Sequence, residues 1–167
     1  MLSEGLLFNG LTFTGFGMRN DLDGRLFDLL PHRPPMLLLS EVLAVSADAA
    51  SSRIRLSDES PFYLPALGGV PSCVGIEYMG QTAALSNGWQ QAQGLAKPTL
   101  GIFLGCRRYR AHVYSFDADA VLRVEAGDAK FAGDSLVTFA GGIFCDETNK
   151  QLASGVLTVL RRPIEEV

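Results

Sequence analysis

One stretch of this sequence is almost free of charge, and it limits what the chain can fold into more than any other feature. Across residues 60–96 the only charged side chain is Glu77. Within that stretch, residues 73–93 predict one long helix, with Ser72 as a candidate N-cap and Gly94 as a candidate C-terminal stop. A helix that is apolar on nearly every side belongs in a protein interior, so the rest of the domain must cover it.

Three glycines interrupt this predicted helix. Gly75, Gly80 and Gly88 are each expected to cost roughly 1 kcal/mol relative to alanine in a helix. We expect close contact between the helix backbone and a sheet to compensate for that cost.

Glu77 is the best candidate for a chemically active residue. A lone carboxylate on a buried helix is unfavourable unless it is paired or protonated, and general acid catalysis requires a protonated group. Gln81 lies one turn later on the same face, where its amide can hydrogen-bond Glu77 or a substrate. The alternative is a structural role, in which Glu77 faces solvent or caps a neighbouring backbone group.

The order of the predicted elements indicates an α+β domain. A short helix and two strands precede the long helix, and four strands follow it. Their predicted residues are 21–30, 36–45, 51–57, 99–113, 119–130, 134–146 and 151–161. Elements grouped in this way predict an antiparallel sheet, and a sheet of six strands can curl round a single apolar helix.

The chain length suits one domain, which we assign to residues 19–167. Residues 1–18 are treated as an N-terminal extension. A secretion signal needs early positive charge, whereas no Lys or Arg precedes Arg19. One hypothesis is that translation starts at Met18, and the alternative is a short segment that packs on the domain.

Composition argues against several classes of function. The net charge of -4 gives no basic footprint for nucleic acid, and no apolar run approaches the ~20 residues that span a membrane. Cys73, Cys106 and Cys145 match no zinc-site spacing. We therefore expect reduced thiols in a cytoplasmic protein, without a metal or redox cofactor.

His32 is one of two histidines, and it lies in the stiff, proline-rich segment 30–35. Such a segment can hold an imidazole at a site. Alternatively, the histidine hydrogen-bonds the backbone at the start of a strand.

Three segments resemble the 3-hydroxyacyl-[acyl-carrier-protein] dehydratases of the hot-dog superfamily (FabZ type). They are residues 29–39 (LLPHRPPMLLL), residues 59–63 (ESPFY) and residues 75–81 (GIEYMGQ). The resemblance runs over residues 21–162. The third segment is more similar still to the divergent ApeP-like branch of aryl polyene and related pigment biosynthesis.

The resemblance implies a hot-dog fold, in which the sheet wraps a central helix, and dimers with acyl tunnels at their interface. It implies a substrate carried on the phosphopantetheine of an acyl carrier protein or of coenzyme A, and no other cofactor. In the family a histidine removes the Cα proton, and a carboxyl group on the central helix protonates the leaving hydroxyl. Glu77 matches the position of that acid.

The family's catalytic histidine comes from a Gly-His-Phe-Pro-Gly loop, and this sequence departs from the pattern there. Residues 64–69 read LPALGG and contain no base. We therefore hypothesise that His32 takes the role of the base, or that dehydration is lost.

The predicted function is dehydration of a 3-hydroxyacyl thioester to the trans-2-enoyl form, with Glu77 as the acid, His32 as the base and Gln81 as a positioning group. Backbone amides near the start of the helix would polarise the thioester carbonyl. The residues assigned to that substrate-positioning role are Gly69, Val70, Ser72 and Cys73. Apolar residues 36–45 and 99–106 would line the acyl tunnel.

Two other functions remain open. The chain could be a non-catalytic subunit that dimerises with an intact dehydratase, or a thioesterase in which Glu77 and Gln81 activate water. The oligomer is expected to be a homodimer, a higher oligomer or a heterodimer with a second dehydratase.

Docking of an acidic carrier protein requires positive charge. Arg107, Arg108 and Arg110 are the first candidates, and the pair Arg161 and Arg162 is the second. On a regular strand Arg108 and Arg110 would share one face. The alternative is an ordinary solvated strand face.

Overall fold

The computed structural model describes residues 6–8, 11–13 and 26–164 of the 167-residue chain. Most of the predicted N-terminal extension, and residues 21–25 of the first predicted helix, lie outside the described residues. In chain order the elements are β1 (Leu6–Phe8), β2 (Leu11–Phe13), α1 (Leu26–Leu29), β3 (Glu41–Val45), β4 (Ala50–Arg55), β5 (Gly69–Pro71), α2 (Gly75–Ala92), β6 (Thr99–Ala111), β7 (Ser115–Asp117), β8 (Val121–Ala132), β9 (Leu136–Cys145) and β10 (Gln151–Pro163).

Six strands form one sheet in the order β3-β4-β8-β9-β10-β6, and every neighbouring pair is antiparallel. The predicted six-stranded antiparallel sheet is therefore confirmed. Its two edge strands are β3 and β6. The short strands β1 with β2, and β5 with β7, form two separate antiparallel pairs.

The long helix α2 contacts all six strands of the sheet. Its fully buried side chains Tyr78, Met79 and Leu85 pack among strand residues such as Leu122 and Leu157. Burying a side chain of this size contributes about 1.5–3 kcal/mol. The apolar character of α2 therefore reflects a helix packed against its own sheet, whereas several large apolar residues outside the helix in the same uncharged stretch are exposed, namely Phe62, Leu64, Leu67 and Leu95.

The start of α2 differs from the prediction. Ser72 lies in a short 3-10 turn (Ser72–Val74) and does not cap the helix, which begins at Gly75. The Ser72 backbone is already engaged, since its N–H donates to Tyr114 O (3.0 Å) and its carbonyl accepts from the Tyr109 hydroxyl. Burial raises the pKa of Tyr109 to about 12, so the donating proton is retained at neutral pH.

The glycines of α2 meet different neighbours. A Cβ on Gly75 would lie 2.6 Å from the Cδ1 atom of Ile143, in the sheet, as expected. A Cβ on Gly88 would lie 1.9 Å from the Leu29 carbonyl oxygen, so this glycine contacts α1 and not the sheet. Gly80 has only an ordinary contact, at 3.8 Å from Leu157. The expectation of sheet contact is therefore wrong for Gly88, where the backbone of α1 packs directly on α2.

The first predicted strand is shorter than expected. It begins at Glu41 rather than at residue 36, because the preceding segment is held by other contacts. The N–H groups of Met36 and Leu37 donate to Arg33 O at 2.9 and 3.1 Å, and Leu38 N–H donates to the Gln81 side chain. Residues 36–38 are therefore held by Arg33 and Gln81 and not by the sheet, and the first backbone hydrogen bond to β4 runs from Ser40 N–H to Arg53 O at 2.9 Å.

Candidate active site

The two residues predicted as acid and base lie next to each other in one chain. Nε2 of His32 is 3.8 Å from Oε1 of Glu77. Their side chains are 30% and 42% exposed, and both line a cavity of about 640 Å³. A substrate in the cavity can therefore reach both groups at once.

Glu77 is less buried than the apolar surroundings of α2 predict. It occupies the first turn of the helix, and its side chain borders the cavity and does not enter the core. The apolar sequence around it is buried against the sheet on the other sides of the helix. The carboxyl group is therefore accessible to a ligand.

Gln81 holds the Glu77 carboxyl group in place. Its Nε2 atom donates to Glu77 Oε1 at 2.9 Å and to Met36 O at 2.6 Å, while its Oε1 atom accepts from Leu38 N–H at 2.9 Å. Both amide hydrogens are thus engaged, and only 1% of the residue is exposed. Gln81 is therefore placed to orient Glu77, and its amide has no hydrogen left for a substrate.

His32 is fixed by the segment that leads out of α1. Leu29 and Leu30 are buried, and Arg33 Nη1 donates to the carbonyls of Leu30 and His32, both at 2.8 Å. The Nδ1 atom of His32 is buried and has no hydrogen-bond partner in the part of the chain that the structure describes. The other ring nitrogen, Nε2, is the one that lies 3.8 Å from the Glu77 carboxyl group.

The cavity extends from this pair along α2. Its walls are mostly apolar and come mainly from α2, β6, β8, β9 and β10; they include Gly80, Ala83, Phe103, Val137, Phe139 and Val159. Of the two predicted tunnel segments, only residues 99–106 contribute to the cavity wall, through Thr99, Leu100, Gly101 and Phe103. No residue of 36–45 lines the cavity. That first segment is instead occupied in contacts with Gln81 and in strand β3.

The four residues predicted to supply backbone donors lie away from this cavity. Gly69 and Val70 are buried in the pairing of β5 with β7, and a Cβ on Gly69 would lie 2.2 Å from Phe116 O. The Ser72 N–H is already bonded, and Cys73 is exposed. None of the four lines the cavity beside His32 and Glu77 in the single chain.

The arginines predicted to dock a carrier protein are exposed on β6. Arg107, Arg108 and Arg110 form no salt bridge within the described ranges. The register with β10 shifts between Ser154 and Val156, so Arg108 lies in an irregular part of the strand with a φ of 58°. The regular alternation that would put Arg108 and Arg110 on one face is interrupted there.

Arg161 and Asn87 are among the cavity residues that the sequence does not identify as members of a pocket. Arg161 was considered only for the surface, but it lines the cavity together with Asn87 of α2. The available signal was weak: Leu157, Val159 and Arg161 alternate along β10, and Leu157 is fully buried.

The described residues include no helix that is long and apolar enough to cross a membrane. Nor do they bring together three His, Cys, Asp or Glu side chains that could hold a metal ion.

Comparison with known proteins gives one family match. The family model for ApeP-like proteins, described as ApeP dehydratase, matches residues 25–166. Comparison with curated proteins gives no significant match.

Solved structures give a second set of likenesses. The dehydratase heterocomplex ApeI:P from Xenorhabdus doucetiae matches with a TM-score of 0.73 and 28% identity, over 82% of this chain and 90% of that one. A hypothetical thioesterase with coenzyme A from Streptococcus pneumoniae matches with a TM-score of 0.56 and 12% identity, over 75% and 88% of the two chains. The PaaI protein of the E. coli phenylacetic acid degradation operon gives 0.56 and 12%, over 72% and 82%. The last two likenesses concern the fold alone.

Proposed function

This chain belongs to the ApeP-like dehydratase family and has the hot-dog fold, and from that premise we propose that it dehydrates a 3-hydroxyacyl thioester to the trans-2-enoyl thioester. The thioester is carried on the phosphopantetheine of an acyl carrier protein or of coenzyme A. The setting is fatty-acid or aryl-polyene-type biosynthesis in the cytoplasm. The three free cysteines fit such a reducing compartment.

The main support is the 3.8 Å separation of His32 and Glu77 at the edge of an apolar cavity. Dehydration needs a base at C2 and an acid at the hydroxyl of C3, and these are adjacent carbons. Two groups this close can serve both positions on one substrate.

The proposed step balances in protons. His32 Nε2 takes the C2 proton while the C2–C3 double bond forms and the C3–O bond breaks. Glu77, in its protonated form, gives its proton to the departing hydroxyl, which leaves as water. The imidazolium and the carboxylate that remain are neighbours, so a proton can return from His32 to Glu77 and restore the starting state.

The hydrogen bond from Gln81 supports different roles for the two carboxyl oxygens of Glu77. Oε1 of Glu77 accepts from Gln81 Nε2 at 2.9 Å. Oε2 has no such partner among the described side chains, so we assign it the transferable proton. Gln81 then acts as a positioning residue.

The exposed edge strand β6 supports a subunit partner. It is 13 residues long, and Leu100, Phe103 and Leu104 are each about half exposed on it. A long apolar edge strand left unpaired invites association. We propose that it contacts a second subunit, either another copy of this chain or a second dehydratase. The match to a dehydratase heterocomplex favours testing the second case.

The exposed arginines of β6 support docking of an acidic carrier protein. Arg107, Arg108 and Arg110 are exposed and form no salt bridge in the described part of the chain. Replacing Arg107 and Arg110 with Glu should slow turnover of a carrier-bound substrate and leave turnover of the coenzyme A thioester unchanged. Equal loss with both substrates would contradict a docking role.

The direct test of the function is to incubate the purified protein with a 3-hydroxyacyl thioester. Formation of the 2-enoyl thioester is followed by absorbance and mass spectrometry, with Glu77→Gln as the control. Release of free thiol without enoyl product would indicate a thioesterase. Product that forms only when a partner dehydratase is added, and is unaffected by Glu77→Gln, would indicate a non-catalytic subunit.

A further inference from the structure

Arg161 is a cation in the cavity wall with most of its hydrogen-bonding capacity unused. Its Nε atom is buried and has no partner among the residues that the structure describes. Its only side-chain hydrogen bond there is a long one, from Nη2 to Asn87 Oδ1 at 3.4 Å. The guanidinium also lies 5.8 Å from the centre of the Phe131 ring. The guanidinium therefore keeps donors that an acceptor on a ligand in the cavity could pair with.

The surroundings of Arg161 are built to hold this group in place. Asn87 Oδ1 accepts from Thr99 Oγ1 at 3.1 Å as well as from Arg161, and Asn87 Nδ2 lies 3.4 Å from Thr99 O. The amide of Asn87 is therefore engaged on both sides, and it anchors the guanidinium. All three residues line the cavity.

This polar cluster lies far from the proposed reaction centre. Asn87 follows Glu77 by ten residues on the same helix, which corresponds to about 15 Å along its axis. The cavity wall between them is mostly apolar and includes Gly80, Ala83, Phe139 and Val159. Such a wall suits a hydrocarbon or aromatic chain better than the two amides of a pantetheine arm, which would lack partners there.

We propose that Arg161, held by Asn87, binds a carboxylate at the far end of the acyl chain, while C2 and C3 of the same chain lie at His32 and Glu77. This rests on the proposed function, because it takes the acyl thioester as the ligand of the cavity. The substrate class is then an acyl chain that is polar at its tip. In an extended polypeptide, three consecutive backbone bonds span about 3.6 Å, which is about 1.2 Å per bond. An extended acyl chain has bonds of similar length, so roughly a dozen carbons cover the ~15 Å between the positions of Glu77 and Asn87.

The test compares two unreactive ligands on the full-length protein. Both are amide analogues of acyl-pantetheine with chains of equal length, one ending in a methyl group and the other in a carboxylate. Isothermal titration calorimetry measures their dissociation constants for the wild type, Arg161→Met and Arg162→Met. The second variant is the matched control, because Arg162 is exposed and does not line the cavity.

We expect the wild type and Arg162→Met to bind the carboxylate ligand at least about tenfold more tightly than the methyl ligand, as a charge-assisted hydrogen bond implies. Arg161→Met should lose that preference. In a series of chain lengths the preference should be largest near a dozen carbons and absent for chains of about four. Equal affinities in the wild type at every length, or an unchanged preference in Arg161→Met, would overturn the proposal.

The phosphate of the carrier arm is also an anion that Arg161 could bind. A further pair of ligands therefore carries one acyl group either on pantetheine, which lacks the phosphate, or on phosphopantetheine, which has it. A gain from the phosphate that Arg161→Met removes would overturn the assignment to the acyl tip. Because these measurements report binding and not turnover, they test the role of Arg161 separately from the proposed dehydration. A carboxylate preference without enoyl formation contradicts only the dehydration, whereas enoyl formation without the preference contradicts only the role of Arg161.

Discussion

The imidazole of His32 and the carboxyl group of Glu77 lie 3.8 Å apart although the residues are 45 positions apart in the chain. One comes from the segment after α1 and the other from the first turn of α2. Gln81 links the two, since it binds Glu77 and also the backbone of Met36 and Leu38, just beyond His32. The geometry of the pair therefore depends on contacts that neither residue makes by itself.

Glu77→Gln should lower kcat for dehydration by about 10²–10⁴-fold, because the amide cannot act as a general acid. The side chain is 42% exposed and its shape is kept, so we expect the free energy of unfolding to change by less than about 0.5 kcal/mol. Steady-state kinetics and urea unfolding measure the two effects. Full activity in the folded variant would contradict the assigned acid.

His32→Asn should reduce kcat by a similar factor of about 10²–10⁴. Added imidazole should restore part of the rate, because the cavity beside Glu77 can admit it. His112→Asn is the matched control, since His112 is the other histidine, is exposed and does not line the cavity. A loss in His32→Asn that imidazole cannot relieve would favour a structural role for the ring.

Gln81→Leu should destabilise the protein by about 2–5 kcal/mol, since it leaves Leu38 N–H and Met36 O without their partner. Glu77 would also lose its anchor, so kcat should fall more than the affinity for substrate. Gln93→Leu, an exposed change just past the end of α2, should have little effect on either quantity. Chemical denaturation with kinetics on both variants checks this, and a stable Gln81→Leu protein would show that the hydrogen bonds matter little.

Gly88→Ala should destabilise the protein by about 1–3 kcal/mol, because its Cβ would lie 1.9 Å from the Leu29 carbonyl oxygen. Gly80→Ala adds the same methyl group to the same helix, where the nearest atom is 3.8 Å away. That change should stabilise the helix by up to about 1 kcal/mol. Thermal unfolding of the two variants measures the contrast, and equal effects would mean that α1 does not pack on Gly88 in solution.

Glu125 gives a prediction for the effect of pH on stability. Burial raises the pKa of its carboxyl group above the ordinary value of 4.5, although Arg123 at 2.9 Å opposes the shift. The folded state then holds a proton that the unfolded state has already released. The wild type should therefore lose stability relative to Glu125→Gln as pH rises from below 4.5 towards the raised value. Urea unfolding of both proteins from pH 4 to 7 measures the difference, and a difference that stays constant or grows with pH would contradict the shift.

The long helix and the six strands could be predicted because their signals are local. An uncharged run of helical length must be enclosed, and runs rich in Val, Leu, Phe and Thr favour strands. The pairing of β5 with β7 could not be predicted in this way. Each strand has three residues, and they meet only because the chain before α2 packs against the segment after β6.

The placement of His32 beside Glu77 could be predicted only in part. Glu77 followed from its isolation, and His32 was proposed only because few bases were available. Their distance depends on how α1 packs on α2, and this contact is made by Gly88, whose partner the sequence does not reveal. Arg161 follows the regular alternation of Leu157 and Val159 along β10, which pairs with β9 without a shift from Ala153 to Leu160, but the register that puts this face of β10 beside the cavity is set by pairing with distant strands. A single-residue shift in that register would change which side chains face the helix.

Both members of the His32 and Glu77 pair come from one polypeptide, and this has a consequence for mixed assemblies. The number of such pairs in any oligomer equals the number of copies of this chain, whatever the neighbouring subunits are. In the single chain the pair is assembled without a residue from another subunit. Under the proposed function, the number of copies of this chain in a complex therefore sets the number of sites at which dehydration takes place.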